Sequence, residues 1–212
     1  MKVISTNICN KPKTFIWNGK EEQTGIFKYP TDDKLFLTKG DVKKDTVIDR
    51  VHHGGENKAC YLFDKDQYPF WKGKYPNLDW NWGMFGENLT VGHLDESKIR
   101  VGNIYSIGNA LVQVSQPREP CYKLGIRFGT QEVLKQFIDQ NRPGTYVKIL
   151  EEGEVAVGDE FKLVELSKNT LTVQEFYELM FLREKPQGLL KKFMDNVAVP
   201  QYKKDRFLKY IK

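Results

Sequence analysis

The chain has 212 residues, 40% apolar and 29% charged, the make-up of a globular protein with one large domain or one domain plus a small appendage. No apolar run is long enough to span a bilayer, and residues 1–6 lack the apolar stretch of a signal peptide, so a membrane-spanning helix is excluded and a cytoplasmic location is expected. The net charge of +5 lies wholly in residues 168–212, which hold ten Lys and Arg against five Asp and Glu, and the neutral remainder, without an RNA- or DNA-recognition motif, speaks against nucleic-acid binding.

Along the chain, residues 3–8 read as a first strand. Residues 15–17 enter a hairpin turn at Asn18-Gly19-Lys20, with residues 24–29 as the expected partner. Residues 35–38 and the apolar run 59–63 are further strands. Residues 66–71 predict a short helix that opens an aromatic-rich segment reaching Trp82. Residues 99–108 read as strand, turn, strand, and residues 110–114 alternate like another strand. Thr130 can cap a helix carrying Val133, Leu134, Phe137 and Ile138, which Arg142-Pro143-Gly144 stops. Residues 145–150 and 161–164 are late strands, separated by turns at Glu152-Gly153 and residues 157–160.

The pattern changes after Leu166. Thr172-Val173-Gln174-Glu175 is a capping box, and Pro186 and Pro200 each open another short helical run. The expectation is a mainly β protein: a β-barrel over residues 1–166 with a few short helices, then a small three-helix segment over 167–212. Such short helices need a surface on which to bury their apolar stripes, so the tail is expected to pack on the barrel with its lysines outward. Lys191, Lys192, Lys203 and Lys204 would then form a face able to attract an acidic electron-donor protein.

The chemistry concentrates in Ser115-Gln116-Pro117-Arg118-Glu119-Pro120-Cys121-Tyr122-Lys123-Leu124. Two prolines fix φ and remove donors, which predicts a stiff, irregular loop. Cys121 lies near Arg118 and Lys123, and cations beside a thiol favour the thiolate, the form that attacks or binds metal. The other reading is a small buried hydrophobe, the usual fate of a free cysteine. Cys9, Cys60 and Cys121 are odd in number and far apart, against a disulfide framework or zinc ribbon.

Two more loops carry polar groups. In His52-His53-Gly54-Gly55, adjacent histidines on an extended chain face opposite ways, so both cannot serve one site unless the backbone bends. His53 is the better candidate, beside glycines that allow close approach of a ligand, and Lys58 could hold a phosphate. In Gly86-Glu87-Asn88, the amide and carboxylate could read the polar edge of a heterocycle, or simply bond their own backbone in a tight turn.

Taken in order, His53-Gly54-Gly55 with Lys58, Phe85-Gly86-Glu87-Asn88-Leu89-Thr90 and the long cysteine motif resemble the MOSC domain family (molybdenum cofactor sulfurase C-terminal domain), nearest its stand-alone YiiM-like subgroup. The resemblance runs from near the N-terminus through Leu166, and Thr172-Val173-Gln174-Glu175 is similar to the start of that subgroup's helical tail. One departure is Gly144-Thr145, where the subgroup often has Gly-Trp.

The resemblance implies a β-barrel that binds molybdenum cofactor, with Cys121 ligating molybdenum. His53, Gly54, Gly55, Lys58, Gly86, Glu87, Asn88, Ser115, Gln116, Arg118 and Lys123 would form the cofactor site. It also implies a reductase of N-hydroxylated compounds such as 6-hydroxylaminopurine. Glu87, His53 or Tyr122 would then deliver a proton, and the residues leave that choice open. No flavin or nicotinamide fingerprint is present, so electrons would come from a separate donor. The alternatives are a non-catalytic carrier or sensor of the cofactor, and a sulfur carrier using Cys121 as a persulfide.

Overall fold

The structure, a computed structural model, describes residues 1–212 apart from the side chain of Val51. The first strands are β1 (Lys2–Ile8), β2 (Lys13–Trp17), β3 (Lys20–Thr24), β4 (Tyr29–Pro30) and β5 (Leu35–Leu37), followed by helix α1 (Arg50–His53). Then come β6 (Cys60–Asp64), α2 (Tyr68–Lys74), β7 (Leu89–Gly92), β8 (Ile104–Ile107) and β9 (Ala110–Pro117). Helices α3 (Tyr122–Phe128) and α4 (Glu132–Gln140) precede β10 (Thr145–Glu151), β11 (Gly153–Val155) and β12 (Lys162–Glu165). The tail forms α5 (Val173–Phe181), α6 (Gln187–Asp195) and α7 (Gln201–Phe207).

Eight strands join in the order β12-β8-β9-β10-β6-β7-β1-β4, antiparallel except for the parallel β6–β7 pair. The sheet curls into a half-barrel. Backbone bonds from Val3 N to Asp159 O (2.9 Å) and from Phe161 N to Met1 O (3.0 Å) draw the approach to edge strand β12 against β1 and close the curl. The central strand β6 is buried along its whole length, as a strand covered on both faces must be. Its period of two divides the core. Cys60 and Leu62 enter an aliphatic interior with Val91, Val112, Val147 and Ile149, while Tyr61 and Phe63 face an aromatic layer with Trp71, Phe85, Phe128 and Phe137. Phe63 stacks on Phe85 at 4.1 Å between centroids, which fastens the aromatic-rich segment and α3–α4 to the outside of the sheet.

Several local expectations change. The partner of β2 is β3, with Trp17 opposite Lys20 and Lys13 opposite Thr24, so of the expected residues 24–29 only Thr24 takes part. Asn18 (φ 49°) and Gly19 (φ 76°) make a two-residue loop, so the return strand starts at once. The motif around Cys121 is not one long loop. Strand β9 runs through Pro117, with Gln116 opposite Tyr146 and Pro117 opposite Thr145, and α3 begins at Tyr122. Pro117 is tolerated because it ends the ladder. Gly153 opens a short strand that pairs with β5 rather than a turn, and residues 89–92 form β7 beside β1. Arg100 makes only an isolated bridge to Thr172, so residues 99–108 contribute one ladder strand, β8.

In the tail, Thr172 forms the expected capping box with Glu175. Leu171, Val173, Phe176, Leu179, Leu190 and Phe193 bury their side chains in the same aliphatic core as the sheet. The outward-lysine expectation fails at Lys203, which is 3% exposed and ion-paired with Glu119 of the cysteine motif. Lys191 pairs with Asp195 (2.6 Å) and Lys192 with Glu175 (2.7 Å), so three of the four lysines expected to form the docking face are ion-paired within the molecule.

Candidate functional site

The end of β9, the start of α3, α1 and the turn before β7 meet around a cleft with two lobes. Asp49, His53, Lys58, Cys121 and Tyr146 line both. The inner lobe continues past Gly54, Arg118 and Lys123 to Gly86, Asn88 and a buried Lys28–Asp45 ion pair. The outer lobe opens between Gln116, Pro117, Pro120 and Tyr122 on one side and α7 on the other.

Cys121 occupies the extended residue immediately before α3 (φ −126°, ψ 165°) and is partly exposed. His52 and His53 end the short helix α1, capped by the Asp49 carboxylate, which accepts from His52 N at 3.0 Å, and as expected only one of the two turns toward the cleft. His52 stays in solvent with its ring 2.9 Å from the Asp49 carboxylate. His53 turns inward and brings Nε2 to 3.5 Å from Cys121 Sγ. Burial, and then the positive charge of Arg118, push His53 down to about 4, so its ring is neutral at pH 7.

The cations differ in their partners. Arg118 is 4% exposed, and its guanidinium lies over the rings of Tyr61 (5.3 Å) and Phe137 (5.6 Å). Its Nη1 has no hydrogen-bond partner, and no acidic side chain among the described residues pairs with it. A buried cation in this condition is costly unless an anion joins it. Lys123 is 7% exposed with Nζ 4.0 Å from Asp49. Lys58 donates to His52 O, and burial lowers its ammonium.

Other expected site residues act as framework. Ser115 Oγ is 2.7 Å from Asn57 O, and Gln116 Nε2 donates to the same carbonyl at 3.1 Å, which ties the Gly54-Gly55 segment to β9. Gly55 has φ 89° and Gly86 φ 79°, a region glycine enters without strain, and these angles turn the chain at the two loops. Asn88 bridges the inner lobe to the sheet: its Nδ2 donates to Asp45 Oδ2 at 2.9 Å and its Oδ1 accepts from Tyr61 N at 3.3 Å.

Two of the expected proton donors are engaged elsewhere. Glu87 is fully buried, lines neither lobe, and accepts from Gly83 N (2.9 Å), Phe85 N (3.1 Å), Thr90 Oγ1 (2.8 Å) and the Tyr68 hydroxyl. It organises its own turn rather than reading a ligand. The Tyr122 hydroxyl donates to Glu22 of the β2–β3 hairpin, and that bond raises it to about 12.

Sequence reasoning missed Lys28, Asp45, Tyr146 and Tyr202. Each is an ordinary residue in its own segment, and only sheet register and tail packing bring it to the cleft. Thr145, at the departure from the subgroup pattern, is 1% exposed and lines neither lobe.

The fold and this thiol-bearing site define a curled β-barrel domain with a cation-lined cleft. The chain belongs to the MOSC domain family, whose match covers residues 49–162. Within it the chain is YiiM-like. Protein YflK of Bacillus subtilis (strain 168) is 32% identical over 207 residues, 98% of this chain and 93% of that protein. Protein YiiM of Escherichia coli (strain K12) is 31% identical over 154 residues, 72% of this chain and 68% of that protein. A Gibberella moniliformis (strain M3125 / FGSC 7600) protein named reductase is 32% identical over 150 residues, 69% of this chain but 27% of its own length. The crystal structure of YiiM from Geobacillus stearothermophilus superposes with a TM-score of 0.82 at 26% identity, covering 100% of this chain and 99% of that one.

Proposed function

We propose that the cleft binds molybdenum cofactor with the Cys121 thiolate as the protein's ligand to molybdenum, and that the protein reduces N-hydroxylated compounds such as 6-hydroxylaminopurine. The observation that carries this reading is a partly exposed thiol facing both lobes beside a buried guanidinium with an unpartnered Nη1. Among the described residues, no group of three or more His, Cys, Asp and Glu side chains could hold a metal ion. A lone sulfur ligand suits a soft metal that brings its own organic ligands. The relative named reductase is in keeping with this chemistry.

Arg118, Lys123 and Lys58 would answer the negative charge of the phosphate and dithiolene, and Asn88 with the Lys28–Asp45 pair would face the polar edge of the pterin. When bound, the cofactor supplies two-electron oxygen-atom chemistry. In the net reaction the N–O bond breaks, two electrons and two protons are taken up, and the amine and water leave. The electrons come from a separate donor. His53 is the side chain best placed to move a proton beside Cys121, because Glu87 is buried within its turn and the Tyr122 hydroxyl is held by Glu22.

Molybdenum analysis of freshly purified protein should find close to one metal per chain, and the loaded protein with a chemical reductant should convert 6-hydroxylaminopurine to adenine. Cys121→Ser should lose both while melting like the parent, since serine is near isosteric but a hard oxygen ligand. Unchanged turnover in that variant sinks the ligand role. A labile sulfur on Cys121 without molybdenum would point to a persulfide carrier.

A further inference from the structure

The MOSC match ends at residue 162, yet α7 walls the outer lobe with Tyr202, Lys203 and Arg206. This helix is fastened directly to the cysteine motif. The Tyr202 hydroxyl donates to Gln116 Oε1 at 2.9 Å, Lys203 pairs with Glu119, and Arg206 Nη1 lies 3.4 Å from the same carboxylate. Behind it, Phe207 is 5% exposed and packs on Phe193 at 4.8 Å between centroids, so the wall is backed by the tail's own core.

Tyr202 differs from its neighbours on α7. Lys203 is buried against Glu119 and the exposed Arg206 leans on the same carboxylate, whereas Tyr202 is the aromatic side chain that α7 gives this lobe, 44% exposed with its hydroxyl anchored. Gln116 is 1% exposed, and its Nε2 already donates to Asn57 O at 3.1 Å, so the anchor is itself fixed. The Tyr202 hydroxyl spends its proton on Gln116, and its oxygen remains free to accept from a ligand N–H. With Tyr122, Tyr146, Pro117 and Pro120, it gives the outer lobe flat, ring-bearing walls beside Cys121.

We propose that Tyr202 is a specificity-determining residue, through which the C-terminal helical segment selects flat heteroaromatic substrates over small aliphatic ones. The proposal rests on the reading of the cleft as a reductase site, with the outer lobe as its substrate side. It needs no motion, because α7 is already latched in place.

Two measurements separate this inference from the reading beneath it. In the first, adenine is titrated into cofactor-free protein and followed by calorimetry. Saturable binding is expected, about tenfold weaker in Tyr202→Ala, with Tyr202→Phe retaining most of the affinity because the ring remains. In the second, the cofactor-loaded protein is given 6-hydroxylaminopurine and N-hydroxyurea. The ratio of their kcat/KM values should fall about tenfold in Tyr202→Ala. No saturable adenine binding, an unchanged Kd in the alanine variant, a phenylalanine variant as weak as the alanine variant, or an unchanged ratio each overturns the proposal. Absence of molybdenum from the parent protein would instead refute the cofactor reading, and the adenine titration would still judge Tyr202.

Discussion

Cys121 and His53 are 68 residues apart in sequence, and their 3.5 Å approach makes each a probe of the other. In the cofactor-free protein, the His53 ring should titrate by NMR with a midpoint near 4, against 6.5 for an ordinary histidine. The sign follows from proton uptake. Between those values the unfolded chain binds the proton and the folded one does not, so folding stability rises with pH across the window and is lost as pH falls through it. The full effect is roughly 3 kcal/mol at 1.36 kcal/mol per pH unit. His53→Gln should flatten that part of the stability profile, and a His53 midpoint near 6.5 would refute the burial argument. Glu87 makes the opposite case. Its buried carboxylate holds four donors, so Glu87→Ala should cost on the order of 3–5 kcal/mol in urea denaturation. Undiminished stability in that variant would return Glu87 to the list of candidate acids.

Among the elements, the β2–β3 hairpin stands outside the main sheet with most of its residues exposed. It forms its own two-stranded ribbon, and a lone ribbon is marginal in water. Tyr122 fastens it to the start of α3: the ring stacks on Trp17 at 4.9 Å between centroids, and the hydroxyl donates to Glu22. Tyr122→Phe keeps the stack and removes the hydrogen bond. Amide exchange in residues 13–24 should therefore accelerate while β6 and β10 keep their protection. Equal exchange in the hairpin would show that stacking alone holds it.

Across the molecule, the barrel and the tail share one aliphatic core. Val101 N donates to Leu171 O (2.9 Å), and Asn196 Nδ2 donates to Val101 O (3.1 Å), across the point where the helical segment begins. We expect the two parts to unfold together. All four tryptophans lie before residue 83, so their fluorescence reports the barrel, while the tail contributes much of the helical signal at 222 nm. Coincident urea transitions by the two probes are the expected result. A helical transition at lower urea would show a tail that folds and unfolds by itself.

Elements with local signals were legible in the chain itself. Alternation marked β9, an apolar run marked β6, β-branched and apolar residues marked β1 and β10, Asn18-Gly19 marked the hairpin, and Thr172 with Glu175 marked the start of α5. These depend on neighbours two to four residues apart. The chain also carried the three motifs whose convergence the cleft displays, neither polar loop specific by itself and all three joined by their likeness to the MOSC family. The division of labour among them was settled in three dimensions. Whether Glu87 faces a ligand or its own turn depends on donors from Tyr68, Gly83 and Thr90. Whether Lys203 faces solvent depends on Glu119, and Tyr202 reaches the cleft only because Gln116 stands at the end of β9. A long side chain can point either way from the same backbone, and the choice falls to partners supplied by sheet register and helix packing, which no local pattern encodes.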